Sequence, residues 1–89
     1  MEISKTITIT NKYGLHARPA MQFVQLAGKY ASKVSISKGE KVVDAKSVLD
    51  VLTLGANMGS EISIRAEGDD AEEAMAALLE FLTGDIDKD

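Results

Sequence analysis

One histidine and one proline occur in this chain, and they stand three residues apart in the stretch Gly14-Leu15-His16-Ala17-Arg18-Pro19-Ala20. A helical pattern of apolar residues begins directly after it. Proline is best tolerated in the first turn of a helix, where its missing N–H costs nothing, so His16 is expected at or beside the N-cap. At that end the first backbone N–H groups lack intrahelical acceptors and the helix dipole is positive. Arg18 adds a permanent cation whose planar fork suits phosphate oxygens, and Ala17 contributes a backbone N–H. Gly14 permits the tight reversal that would present the imidazole. A neutral imidazole nitrogen is a nucleophile whose lone pair can attack phosphorus without a separate base. The chemistry supported is uptake of a phosphoryl group on His16, beside an anion-binding helix end. The plainer alternative is a loop histidine that only caps a helix, and it leaves Gly14 and Arg18 unexplained. Pro19 is most simply a helix starter.

A second candidate lies at Ser47. Ser47-x-x-Asp50 is a capping-box variant opening a short helix, and this structural job is sufficient by itself. The residues that follow, Val48, Leu49, Val51, Leu52 and Leu54, are apolar on too many sides for one buried face. Part of that surface is expected to be exposed as a contact patch. Met21, one turn beyond His16, either serves a docking surface or packs at the core margin.

The elements that must position these residues follow from periodicity. Ile3, Ile7 and Ile9 alternate with Ser and Thr as a half-buried strand, interrupted by Lys5 near an edge. A helix is expected from Pro19 to about Tyr30, with the stripe Ala20, Phe23, Val24, Ala27 and Ala31. Val34 and Ile36 mark a second strand, Lys38-Gly39-Glu40 a turn, and Lys41 to Asp44 a third strand, together a hairpin. Gly55 suits the end of the short helix. Ile62 and Ile64 mark a fourth strand. Asp69 or Asp70 is expected to cap a last helix with Glu72 and Glu73 in its first turn, and Gly84 to end it. The order β-α-β-β-α-β-α predicts an α+β fold, a two-layer open-faced sandwich of a four-stranded antiparallel sheet with three helices on one face.

Composition narrows the function. Eighty-nine residues with 45% hydrophobic content suit one small domain spanning 1–89, with 83–89 as a flexible tail. A net charge of -4 and only 4% aromatics argue against nucleic acid as a partner. The absence of cysteine and the single histidine argue against disulfides and a zinc site, so neither metal nor cofactor is expected. No apolar run approaches a transmembrane span, and the N-terminus lacks a signal-peptide core. A cytoplasmic protein whose chemistry happens at a surface shared with partners is expected.

The stretch Gly14 to Ala20 resembles the phosphorylation-site motif of the histidine-containing phosphocarrier (HPr) family of the bacterial phosphotransferase system. Ala45-Lys46-Ser47-Val48-Leu49 through Leu54-Gly55-Ala56 resembles the regulatory-serine region of the same family, and the likeness runs from about Ile3 to Leu82. The resemblance implies a monomeric carrier that is not itself an enzyme. It would be phosphorylated by enzyme I at Nδ1 of His16 and pass the group to enzyme II A domains for sugar uptake, with Ala17 and Arg18 holding the phosphate. It further implies phosphorylation of Ser47 by an HPr kinase/phosphorylase in some members, and docking through Met21, Val48, Leu49 and Leu52. A nitrogen-branch paralogue with a regulatory role is an alternative. A ferredoxin-like ligand-binding module is another, and it leaves the histidine stretch unexplained. A purely regulatory homologue usually lacks the histidine. Tyr13 occupies a loop position where the family varies and bears on partner preference; the acidic tail has no functional account.

Overall fold

A computed structural model describes residues 1–84. Four strands, β1 (Glu2–Thr8), β2 (Lys33–Lys38), β3 (Lys41–Asp44) and β4 (Glu61–Glu67), alternate with three helices, α1 (Ala17–Ala27), α2 (Val48–Thr53) and α3 (Ala71–Thr83). The strands form one sheet in the order β1-β4-β2-β3, with every neighbouring pair antiparallel. This is the α+β order expected from the sequence. The last strand slides between β1 and β2, so the two edges of the sheet are β1 and β3.

The register explains why the helices cover one face. Ile7 lies opposite Ile62, Ile3 opposite Ala66, and across β4 Ala66 and Ile64 face Val34 and Ile36. These apolar rows share one side of the pleat, and Ile62, Ile64, Ala66, Val34 and Ile36 are all buried there. Phe23 of α1, Val51 of α2 and Leu78 of α3 complete the same core. The other face carries Ser, Thr and charged residues, such as the Thr6–Ser63 hydroxyl pair at 2.8 Å. Lys5, on the apolar parity of β1, sits with Glu72 along the groove between β1 and α3, where a charge on an edge strand discourages pairing with another sheet.

The helix ends depart in detail from the local expectations. Helix α1 ends at Ala27 with Gly28 as its C-cap, rather than running to Tyr30. Ala31, placed on the helical stripe by spacing alone, is exposed, and its N–H donates to the Asp70 carboxylate at 2.8 Å. Asp70 is the N-cap residue of α3 but makes no capping bond with its side chain. Its carboxylate instead accepts from the Ala31 and Ser32 N–H groups and from the Ser32 hydroxyl, which ties the start of α3 to the lead-in of β2. Thr83, assigned to the tail, belongs to α3, and its hydroxyl donates to the Leu79 carbonyl at 2.8 Å. The rest of the expected tail, 85–89, lies outside the described residues.

Candidate functional site

The loop from Asn11 to Leu15 is built to turn the chain and then hold it still. Gly14 adopts φ +64°, a conformation that favours glycine. Its N–H donates to the Asn11 carbonyl at 3.2 Å, while Asn11 Nδ2 donates to the Gly14 carbonyl at 2.7 Å. The backbone of Ala56 and Asn57 lies so near that a Cβ on Gly14 would fall 2.3 Å from the Ala56 oxygen. The next residue, Leu15, is buried and donates its N–H to that same Ala56 carbonyl at 2.8 Å. With Leu15 anchored inward, the following side chain is delivered to the surface.

That side chain is His16, the N-cap of α1, with φ -77° and ψ -175°. Its carbonyl accepts from the Ala20 N–H at 2.9 Å and so opens the helix. The imidazole makes no capping bond, so the plainer alternative of a helix-capping histidine does not describe it. His16, Ala17 and Arg18 are all exposed. Pro19, Ala20, Phe23 and Ala27 are buried and press the helix onto the core by its opposite stripe. Ala17 and Arg18 thus supply the first N–H groups of a helix whose positive end is at the surface. Pro19 stands in the first turn, as its chemistry demands.

One neighbour of His16 was not foreseen from the sequence. The Tyr13 ring stands edge-on to the imidazole, with centroids 5.8 Å apart and planes at 84°. The Lys12 ammonium lies over the Tyr13 ring, 5.2 Å from its centroid. A signal existed: an aromatic three residues before a histidine, across a glycine turn, can fold back onto it.

Helix α2 runs beside α1 in the opposite sense. Lys46, just before α2, donates through Nζ to the Tyr30 carbonyl beyond the end of α1 at 2.8 Å. Ala56, just after α2, accepts from Leu15 just before α1. His16 is therefore brought near the C-terminal end of α2, and Ser47 stands at the far end. Ser47 is the N-cap of α2, its Oγ accepting from the Asp50 N–H at 3.3 Å, so the capping reading describes its side chain.

The four apolar residues expected around the histidine differ in exposure. Leu49 is 76% exposed, Met21 49% and Leu52 36%, whereas Val48 is half-buried. Val51 and Leu54 are buried and anchor α2. Met58, absent from the sequence-based set, is 61% exposed and follows Asn57, the residue packed against Gly14. Nothing in the sequence distinguishes Met58 from any loop methionine. Among the described residues, no cluster of three or more His, Cys, Asp or Glu is placed to hold a metal, and no helix is long and apolar enough to cross a membrane.

Comparison with known proteins agrees with this architecture. The family described as PTS HPr component phosphorylation site matches residues 3–84. The phosphocarrier protein HPr of Cupriavidus necator is 42% identical over 80 residues, covering 90% of each chain. The HPr-like protein Crh of Halalkalibacterium halodurans is 41% identical over 80 residues, covering 90% of this chain and 95% of its own. The crystal structure of HPr-C-His from Thermoanaerobacter tengcongensis superposes with a TM-score of 0.92 at 42% identity, over 98% of both chains. On these grounds the chain belongs to the HPr family of phosphocarriers of the phosphotransferase system.

Proposed function

We propose that this protein relays a phosphoryl group, taking it from enzyme I onto Nδ1 of His16 and giving it to the A domain of an enzyme II that serves sugar uptake. The observation that carries the reading is an exposed imidazole at a helix N-cap that its own helix does not use as a cap. In the accepting step the Nδ1 lone pair attacks phosphorus. The new N–P bond forms as the bond from phosphorus to its donor atom breaks, and the donor keeps that electron pair. Delivery repeats the exchange with His16 as the donor. The carrier turns over no small molecule of its own.

The rest of the site is read in that light. The N–H groups of Ala17 and Arg18 and the Arg18 guanidinium face the charge that the phosphoryl oxygens bring. Their hold has to be moderate, because a carrier that stabilised its phosphorylated state strongly would not release the group. Met21, Leu49 and Leu52, with the half-buried Val48 at their margin, form the docking patch that partners cover. Burying it excludes water from the transferring group. Ser47 is a site for an HPr kinase/phosphorylase, since a phosphate at a helix N-terminus suits the dipole and regulation then acts without unfolding. The protein works as a monomer in the cytoplasm.

The test is the intact mass after incubation with enzyme I and phosphoenolpyruvate, before and after brief acid treatment. The expected result is a gain of a single phosphoryl group that acid removes and that His16→Ala abolishes. Enzyme I proteins of the sugar and nitrogen branches, compared side by side, assign the branch. No gain with either would overturn the relay and favour a ligand-binding module.

A further inference from the structure

We infer that Tyr13 is a positioning residue for His16, fixing the plane of the imidazole for in-line attack; this rests on the phosphoryl-acceptor reading above. Tyr13 is 60% exposed, so it has no core position that would account for an aromatic in this loop. What it does have is a defined ring contact. Its plane meets that of His16 at 84° with the centroids 5.8 Å apart, the edge-to-face arrangement that sets the positive edge of one ring against the negative face of the other. Turning the imidazole about its side-chain bonds loses that contact.

The tyrosine can act as a support because its own base is fixed. The Asn11–Gly14 turn is closed by two hydrogen bonds. Gly14 is wedged against the Ala56–Asn57 backbone, and Leu15 is bonded to Ala56. Two residues before Asn11, Ile9 donates its N–H to the Ser60 carbonyl and accepts from the Gly59 N–H, each at 2.8 Å. The Lys12 ammonium, 5.2 Å from the Tyr13 centroid, also holds the ring by a cation–π contact. The Tyr13 ring is thus contacted by both Lys12 and the nucleophile His16, on a loop held by hydrogen bonds. Transfer needs the nitrogen lone pair pointed along the line of the breaking bond, and small angular errors at that atom cost rate.

The experiment compares wild type, Tyr13→Phe and Tyr13→Ser. The first readout is the His16 ring-proton spectrum of the unphosphorylated proteins. Cross-relaxation between the two rings and a ring-current shift of the His16 protons are expected in wild type and in Tyr13→Phe, and lost in Tyr13→Ser. The second is single-turnover transfer from phosphorylated enzyme I at saturating acceptor. Tyr13→Ser is expected to be slower by about 3- to 10-fold in the maximal rate, with apparent affinity changed less than about 2-fold and the rate restored in Tyr13→Phe. A loss confined to apparent affinity would make Tyr13 a docking contact and overturn the inference. Equal rates in all three proteins, or no ring contact in wild type, would overturn it too. If wild type itself took up no phosphoryl group, the relay reading would fall and this inference with it, which the equal-rates outcome does not imply.

Discussion

The presentation of His16 depends at the residue scale on Gly14, whose two requirements are separable. Its φ of +64° disfavours any side chain, and a Cβ would meet the Ala56 oxygen at 2.3 Å and the Asn57 Cα at 2.7 Å. Both obstacles are backbone, so neither can swing aside as a side chain would. Gly39 is the control, with φ +61° but nothing within 4 Å of such a Cβ. Gly39→Ala is expected to lower stability by about 1 kcal/mol, the cost of left-handed backbone alone. Gly14→Ala should cost about 2–4 kcal/mol, because backbone must also move. Urea unfolding of the two variants measures the difference, and equal losses would show that the Gly14–Ala56 approach is soft. The sequence marks Gly14 as a turn residue because turn chemistry is local. Its packing partner comes from a loop far along the chain, and no local pattern encodes that. The same contrast separates the two caps. Ser47 caps the residue three places on, as Ser-x-x-Asp suggests, whereas the Asp70 carboxylate leaves its own helix for donors on another element.

Helix α2 shows at the element scale how a segment too short to be stable alone is held at the site. Six residues make a marginal helix in water. Val51 and Leu54 bury on one side, and two lysines reach over from the β2–β3 hairpin to its C-terminal carbonyls. Lys41 Nζ donates to Thr53 at 2.7 Å and Lys38 Nζ to Gly55 at 2.8 Å, placing cations where the helix dipole is negative. The excess of apolar residues in this segment was legible as surface that the core could not absorb. Spacing alone did not say which of them faced outward, since that depends on how α2 lies against α1; the family resemblance pointed to Leu49. Leu49 is the most exposed of the set. Leu49→Glu is therefore expected to change stability by no more than about 0.5 kcal/mol while weakening association with enzyme I. Calorimetric binding and thermal melts on the same variant check both halves. Unchanged affinity with an early melt would make Leu49 structural and move the docking patch elsewhere. The end of α1 shows the opposite error. Ala27 and Ala31 continue the apolar spacing, but Gly28 stops the helix, and the chain then needs Ala31 and Ser32 for another purpose.

That purpose belongs to the whole molecule. The junction between α1 and β2 is fastened to the junction between β4 and α3 by a single carboxylate, so the two crossing points of the fold are held together at one place. Asp70 accepts from the Ser32 hydroxyl and from the N–H groups of Ala31 and Ser32, each N–H at 2.8 Å. Gly68 lies close enough that a Cβ there would fall 2.6 Å from the Ser32 Oγ, so the contact is tight on both sides. The Ser32 hydroxyl, followed by the Ala31 N–H, holds the Asp70 carboxyl below its ordinary value of 3.8, against a smaller opposing effect of desolvation. A carboxyl that is more acidic in the folded than in the unfolded protein stabilises the fold fully above the unfolded value, and that contribution disappears as pH falls through the lower, folded value. Asp70→Asn keeps an acceptor oxygen but not the charge. Wild type should therefore have a higher urea midpoint than Asp70→Asn at neutral pH, with the gap constant down to about pH 5 and closing below the ordinary aspartate range. A gap that persists to about pH 2 would mean that the shape of the hydrogen bonds, and not the ionised carboxylate, carries the fastening. Either way His16 should remain competent in Asp70→Asn near neutral pH, because the loop that presents it is tied to Ala56 and Ser60 and not to Asp70.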